Sequence, residues 1–209
     1  MIDKIIELSY LSGGLLPMMG LLLLITLAII IERSYFFYFR VSFGESLERD
    51  LQTVEYGNKE KLTELTEHYK GALQLSVITA GMTSNANDEA VISRHMEEAI
   101  MWQVPKLERN IWILDTSVTL APLMGLLGTI IGMVHAFDIL GVSGVGGSAT
   151  QMVSGGIAEA LVATGVGIFI AILAVVFLNH FNKKVQAFLH QMDLLKIMMV
   201  NRLLGGGIS

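Results

Sequence analysis

Two apolar runs in the second half of the chain, Leu120 to Ala136 (LAPLMGLLGTIIGMVHA) and Gly155 to Val176 (GGIAEALVATGVGIFIAILAVV), carry four polar side chains: Thr129, His135, Glu159 and Thr164. An ionisable group in hydrocarbon is costly, and where one persists it marks an ion or proton path or a buried pairing. Hydroxyls both donate and accept hydrogen bonds, so they suit a relay and can ligate a hydrated proton, a sodium ion or a carboxyl group. A threonine does not titrate at physiological pH, so the proton carrier must be an acid elsewhere. Conduction of a cation is therefore the first chemistry to consider.

Spacing groups these residues. Asp115, Pro122, Thr129 and Ala136 recur every seven residues and share a helix face apart from about 20° of drift per heptad, with Gly125 and Gly132 flanking it. Ala160, Thr164, Gly167, Ala171 and Ala174 form a second stripe of small residues, the kind that lets membrane helices approach closely. Counted from the outer ends of their spans, Thr129 lies about 16 Å deep and Thr164 about 15 Å deep, so the hydroxyls are level. Packing alone, with Thr129 bonded to its own backbone, is the competing reading. Glu159 sits about 140° around the helix from Thr164. It serves a pore or gate, or else an inter-helix hydrogen bond for which His135 is a structural partner. Asp115 either helps form a carboxylate ring at the pore mouth or pairs with Arg109. Asp138 reads as a solvated interface residue.

The elements that must hold these groups are membrane helices. Charged residues make up only 16% of the 209-residue chain, against roughly 25% in soluble proteins, and mean hydropathy is +0.60. Three stretches approach the ~20 residues that cross a ~30 Å hydrocarbon core. The expected layout is an N-terminal segment 1–10, a first span 11–31, an insertion 32–113, a second span 114–140, a Gly/Ser linker 141–154, a third span 155–178 and a tail 179–209. Met1 to Ser12 carries Asp3, Lys4 and Glu7 and lacks the basic start of a secretory leader, so the first span reads as a retained anchor.

Nine Lys and Arg lie between the first two spans, none between the second and third, and four after the third. Basic loops stay cytoplasmic, so the insertion and the C-terminal tail face the cytoplasm while the N-terminus and the linker face the outside. The insertion reads as helical, with Asn58 or Asn87 as N-caps and Asp88 and Glu89 in a first turn. Tyr35 to Phe39 form an aromatic anchor at the inner boundary. From Asn87 one long rod is expected to run into the second span, disturbed at Pro105.

Other chemistries lack their residues. There is no cysteine, no metal-ligand spacing among His68, His95, His180 and His190, no phosphate-binding glycine loop, no Ser/His/Asp set and no basic patch. An enzyme, a cofactor, a metal site and nucleic-acid binding are therefore not expected.

The segments GLLGTIIGMVHAF (Gly125 to Phe137) and QMVSGGIAEALVATGVGI (Gln151 to Ile168) resemble the signature spans of the MotA/TolQ/ExbB proton-channel family, in its three-span ExbB/TolQ branch. The resemblance implies an all-α integral membrane protein of the bacterial inner membrane. Three transmembrane helices would extend into a cytoplasmic helical domain, as a homopentamer around a dimer of one-span ExbD/TolR-like partners whose intramembrane Asp carries the proton. It assigns Thr129, Thr164 and Glu159 to the ion pathway and Pro122 to the family's proline. It implies ion-motive-force-driven energy coupling to TonB- or Tol-type work at the outer membrane, with a TonB- or TolA-like protein as a further partner. The chain departs from the family at Leu173, where a proline is common, and at Ser154-Gly155-Gly156, where APG is common. A sodium-driven stator and a non-conducting oligomeric scaffold are the alternatives.

Overall fold

A computed structural model describes residues 15–41, 44–54, 58–84, 88–143 and 147–204. Those residues form eight helices and no strand: α1 Leu15–Arg40, α2 Gly44–Gln52, α3 Lys59–His68, α4 Leu75–Thr83, α5 Glu89–Met101, α6 Val104–Leu107, α7 Ile111–Ser143 and α8 Gly147–Leu204. Three stretches, Leu15–Arg40, Ile111–Asp138 and Val153–Leu204, are long and apolar enough to cross a membrane. The chain divides into two compact units. One joins α1 up to Ile31 with Asn110–Asn179, and the other joins Glu32–Arg109 with α8 from His180 onward.

In the first unit, α1 packs on α7 and α8 through a core of Leu15, Met19, Ala121, Met124 and Ile170. Leu123, Leu126, Ile130, Phe169 and Ile172 point outward and exposed, an apolar exterior that needs hydrocarbon or another apolar surface against it. Where α7 and α8 meet, Gly125 lies against Thr164 and Ala163, Gly132 against Ala160, and Gly156 against Ala136. The order is reversed along the two helices, so they are antiparallel.

The line of closest approach on α7 is Ala121, Gly125, Gly128, Gly132 and Ala136, all buried. This differs from the heptad line expected from sequence: Pro122 and Thr129 are half-buried beside the seam and Asp115 is exposed. The cause is steric. Backbone contact demands the absence of a Cβ, so glycines take the centre and the bulkier threonine moves to the flank. On α8 the expected stripe is in place, with Ala160, Gly167 and Ala174 buried and Thr164 and Ala171 half-buried.

In the second unit, short amphipathic helices pack on the far part of α8, whose Phe181, Phe188, Met192, Leu195 and Met199 are buried together with Leu47, Leu62, Ile78, Ile92 and Met96. Asn58 caps α3 by accepting from the Lys61 N–H at 3.1 Å. The cap of α5 is Asp88, which accepts from the Ala90 N–H at 3.0 Å, so this residue precedes the first turn while Glu89 lies in it. Asn87 lies outside the described residues. Arg33, only 2% exposed, donates to the carbonyls of Lys106 and Leu107 at 3.2 and 3.5 Å and to Glu32 at 2.7 Å. Its guanidinium also stacks over Phe36, 4.6 Å from the ring centroid.

One expected element is corrected, and the helix bounds add detail to the rest of the layout. The single rod from Asn87 is broken: α5 stops at Met101, Pro105 sits in the first turn of α6, where a missing N–H costs nothing, and Asn110 adopts φ 62° before α7 begins. The Gly/Ser segment 141–154 is helical on both sides, since α7 reaches Ser143 and α8 starts at Gly147, while 144–146 lie outside the described residues. The tail after residue 178 continues α8 as far as Leu204. The expected N-terminal segment 1–10 also lies outside the described residues.

Candidate functional site

Two polar side chains of the spans, Thr164 and Thr129, lie beside Gly125. Thr164 Oγ1 donates to the Gly125 carbonyl across the helix pair at 2.8 Å, and Thr129 Oγ1 donates to Leu126, three residues back on its own helix, at 2.7 Å. A helical threonine ordinarily bonds a carbonyl three or four residues earlier in its own helix, and Thr129 follows that habit. Thr164 reaches the neighbouring helix instead because Gly125 has no side chain: a Cβ there would stand 2.9 Å from Thr164 Cα and 3.1 Å from the Ala163 carbonyl.

At 100° per residue on antiparallel helices, Thr129 and Thr164 both depart from the seam centre to the same side. Pro122 departs to that side too, and its missing N–H leaves the Val118 carbonyl without the usual helical donor. In an α-helix the Gly125 carbonyl is also the acceptor for the Thr129 N–H, so one oxygen links the two threonines. The hydroxyls are not quite level, because Thr164 is opposite Gly125, about 6 Å or one turn from Thr129.

Asp115 and His135 lie apart from this pair. Asp115 is exposed near the start of α7 and His135 is exposed near its end. Glu159 falls within α8, but its side chain lies outside the described residues, as does any pairing with His135. Gly132 serves the seam, where an added Cβ would stand 2.7 Å from that of Ala160. Among the described residues no group of three His, Asp or Glu converges to hold a metal.

Sequence reasoning missed a second polar contact. Thr26 on α1 and Ser117 on α7, both fully buried, meet at 3.1 Å, while Thr26 also approaches the Leu22 carbonyl and Ser117 the Ile113 carbonyl, each at 2.8 Å. Two hydroxyl protons thus serve three contacts. The available signal was that Thr26 is the one hydroxyl between Leu15 and Ile31.

The fold and the seam define a helical membrane protein with polar oxygens set between small-residue spans. The profile of the MotA/TolQ/ExbB proton channel family matches residues 65–194, more than half of the chain, and the chain belongs to that family, in its ExbB/TolQ branch. It is 41% identical over 102 residues to the Tol-Pal system protein TolQ of Haemophilus influenzae, covering 47% of this chain and 44% of that protein. It is 32% identical over 170 residues to the putative biopolymer transport protein ExbB-like 1 of Synechocystis sp., covering 79% and 66%. With the biopolymer transport protein ExbB of Xanthomonas campestris pv. campestris it shares 33% over 105 residues, covering 50% and 41%. Each of these matches spans less than two thirds of the relative's own length.

Proposed function

We propose that this chain is the multi-span subunit of an ion-driven energy-coupling channel of the bacterial inner membrane, working with a one-span ExbD/TolR-like partner. The observation that carries the reading is the pair of hydroxyls on the half-buried residues Thr164 and Thr129, on one flank of a glycine-lined seam in a chain of this family. In this reading Thr129, Thr164 and Glu159 line the ion path, and Asp115 and Pro122 lie toward its cytoplasmic mouth. The partner dimer supplies the titrating Asp, inside a homopentamer of this chain. Protons are the expected ion. One charge crossing 100 mV releases about 2.3 kcal/mol, so a few ions per step suffice to move a partner mechanically. The asymmetry of Lys and Arg orients the N-terminus to the periplasm and the C-terminus to the cytoplasm. The work served is of TonB or Tol type, through a TonB- or TolA-like protein.

The test is ion flux in liposomes holding this chain with its one-span partner, read with a pH dye with and without sodium. Potential-driven flux that Thr164→Val abolishes and Thr164→Ser retains supports the channel and names its ion. A scaffold that packs helices without conducting predicts no flux and full cellular function in Thr164→Val.

A further inference from the structure

The proton of each threonine hydroxyl in the seam is already committed. Thr164 Oγ1 stands 2.8 Å from the Gly125 carbonyl oxygen and Thr129 Oγ1 2.7 Å from that of Leu126. A carbonyl oxygen has lone pairs and no proton, so the hydroxyl is the donor in both contacts. A hydroxyl carries one proton. What each oxygen still offers outward is therefore an acceptor. The two anchors are consecutive carbonyls of α7, and both threonines are half-buried residues on the same flank of the seam.

A relay hydroxyl must accept from one neighbour while donating to the next. Neither threonine does so without first breaking its bond to α7. We infer that Thr164 and Thr129 are fixed acceptors and not links in a proton relay, so that the form of a partner helix's acid they bind is the neutral, protonated one, which donates to them. This rests on the reading of the chain as a channel subunit with an acidic one-span partner. A carboxylate meets lone pairs with lone pairs at these oxygens and is disfavoured there, whereas the same carboxyl group with its proton donates to them. Gly125 is a positioning residue, since its carbonyl fixes the direction of the Thr164 hydroxyl and its bare Cα lets that hydroxyl arrive.

The experiment measures how much partner is retained on affinity-captured complex at about pH 8, where a solvated carboxyl is charged. The partner is used unsubstituted and with its intramembrane Asp→Asn, an amide that always donates. On the unsubstituted chain the amide partner is retained at least as well as the acid. Thr164→Val and Thr129→Val each lower its retention about three- to tenfold, the worth of one hydrogen bond, and Thr164→Ser does not. Thr129→Val leaves the α7–α8 contact untouched, so a loss there is not a loss of folding. Poorer retention of the amide than of the acid, or equal retention by the valine variants, overturns the inference. A complex that retains partner in this pattern yet passes no ions would defeat the channel reading while leaving the acceptor polarity standing. For the chain alone, selective labelling of glycine carbonyl carbon and leucine nitrogen isolates Gly125–Leu126 among three Gly–Leu pairs. Its carbonyl signal shifts in Thr164→Val, and an unchanged signal overturns the inference.

Discussion

Gly167 of α8 approaches the carbonyl of Ala121 on α7 so closely that a Cβ added to the glycine would collide with that oxygen. The obstacle is backbone, which cannot swing aside as a flexible side chain can. Gly167→Ala is therefore expected to push the helices apart and destabilise the protein by about 1–3 kcal/mol, the usual cost of overpacking. Gly165, two residues away, has nothing within 4 Å of its Cβ position, and Gly165→Ala should be neutral or stabilising because alanine favours the helix. Thermal unfolding of both variants in detergent checks the contrast, and equal melting temperatures would refute it.

Thr26 and Ser117 are expected to couple. With three contacts for two protons, removing one hydroxyl leaves the other able to bond its own helix, so each single change costs little. A double-mutant cycle of Thr26→Val and Ser117→Ala should give a coupling of about 0.5–1.5 kcal/mol, the net value of one hydrogen bond. Strict additivity would show that the contact contributes nothing.

Arg33→Met removes the donor to the carbonyls of Lys106 and Leu107. A loss of about 1–3 kcal/mol is expected, the penalty for stranding buried acceptors. Arg33→Lys should recover only part of it, because an ammonium has no planar fork. Chemical unfolding followed by a probe in the second unit reads both changes. Full stability in Arg33→Met would place the anchoring of α6 elsewhere.

The Lys196 ammonium, donating at 2.8 Å, holds the Glu97 carboxyl below its usual range. A depressed folded-state pKa contributes stability above the unfolded value, near 4.5, and that contribution is lost as pH falls through the lower folded value. Unfolding midpoints compared between about pH 6 and about pH 3 should therefore decline slightly less in Glu97→Gln than in the unsubstituted chain, and added salt should shrink the difference because the carboxylate is exposed. Parallel pH profiles for the two proteins would rule this out.

Much of this architecture is written in periodicity and composition. The three apolar helices and the α8 stripe are legible because small residues recur at helical spacing, and Asn58 is legible because capping is a local hydrogen bond. Asn87 was the wrong neighbour by one residue: either it or Asp88 satisfies the capping rule, and only backbone geometry chooses. The heptad line through Thr129 misplaced the seam since regular spacing alone does not say which neighbouring line touches. Segment 141–154 reads as a linker from its glycines, yet isolated glycines weaken a helix by only about 1 kcal/mol each, so α7 still reaches Ser143 and α8 already starts at Gly147. Thr26 and Arg33 were invisible for another reason. Each is meaningful only through a contact far along the chain.

The distance along the chain between Arg33 and its acceptors sets a schedule. Lys106 lies 73 residues after it, and at about 5–20 residues per second a ribosome needs roughly 4–15 s to supply that carbonyl. During this interval the nascent first helix carries a cation without its eventual partners. Until α6 is made the arginine has Glu32 and the face of Phe36 but neither of its carbonyl acceptors, so the end of the first helix is finished late, well after its own residues have been synthesised.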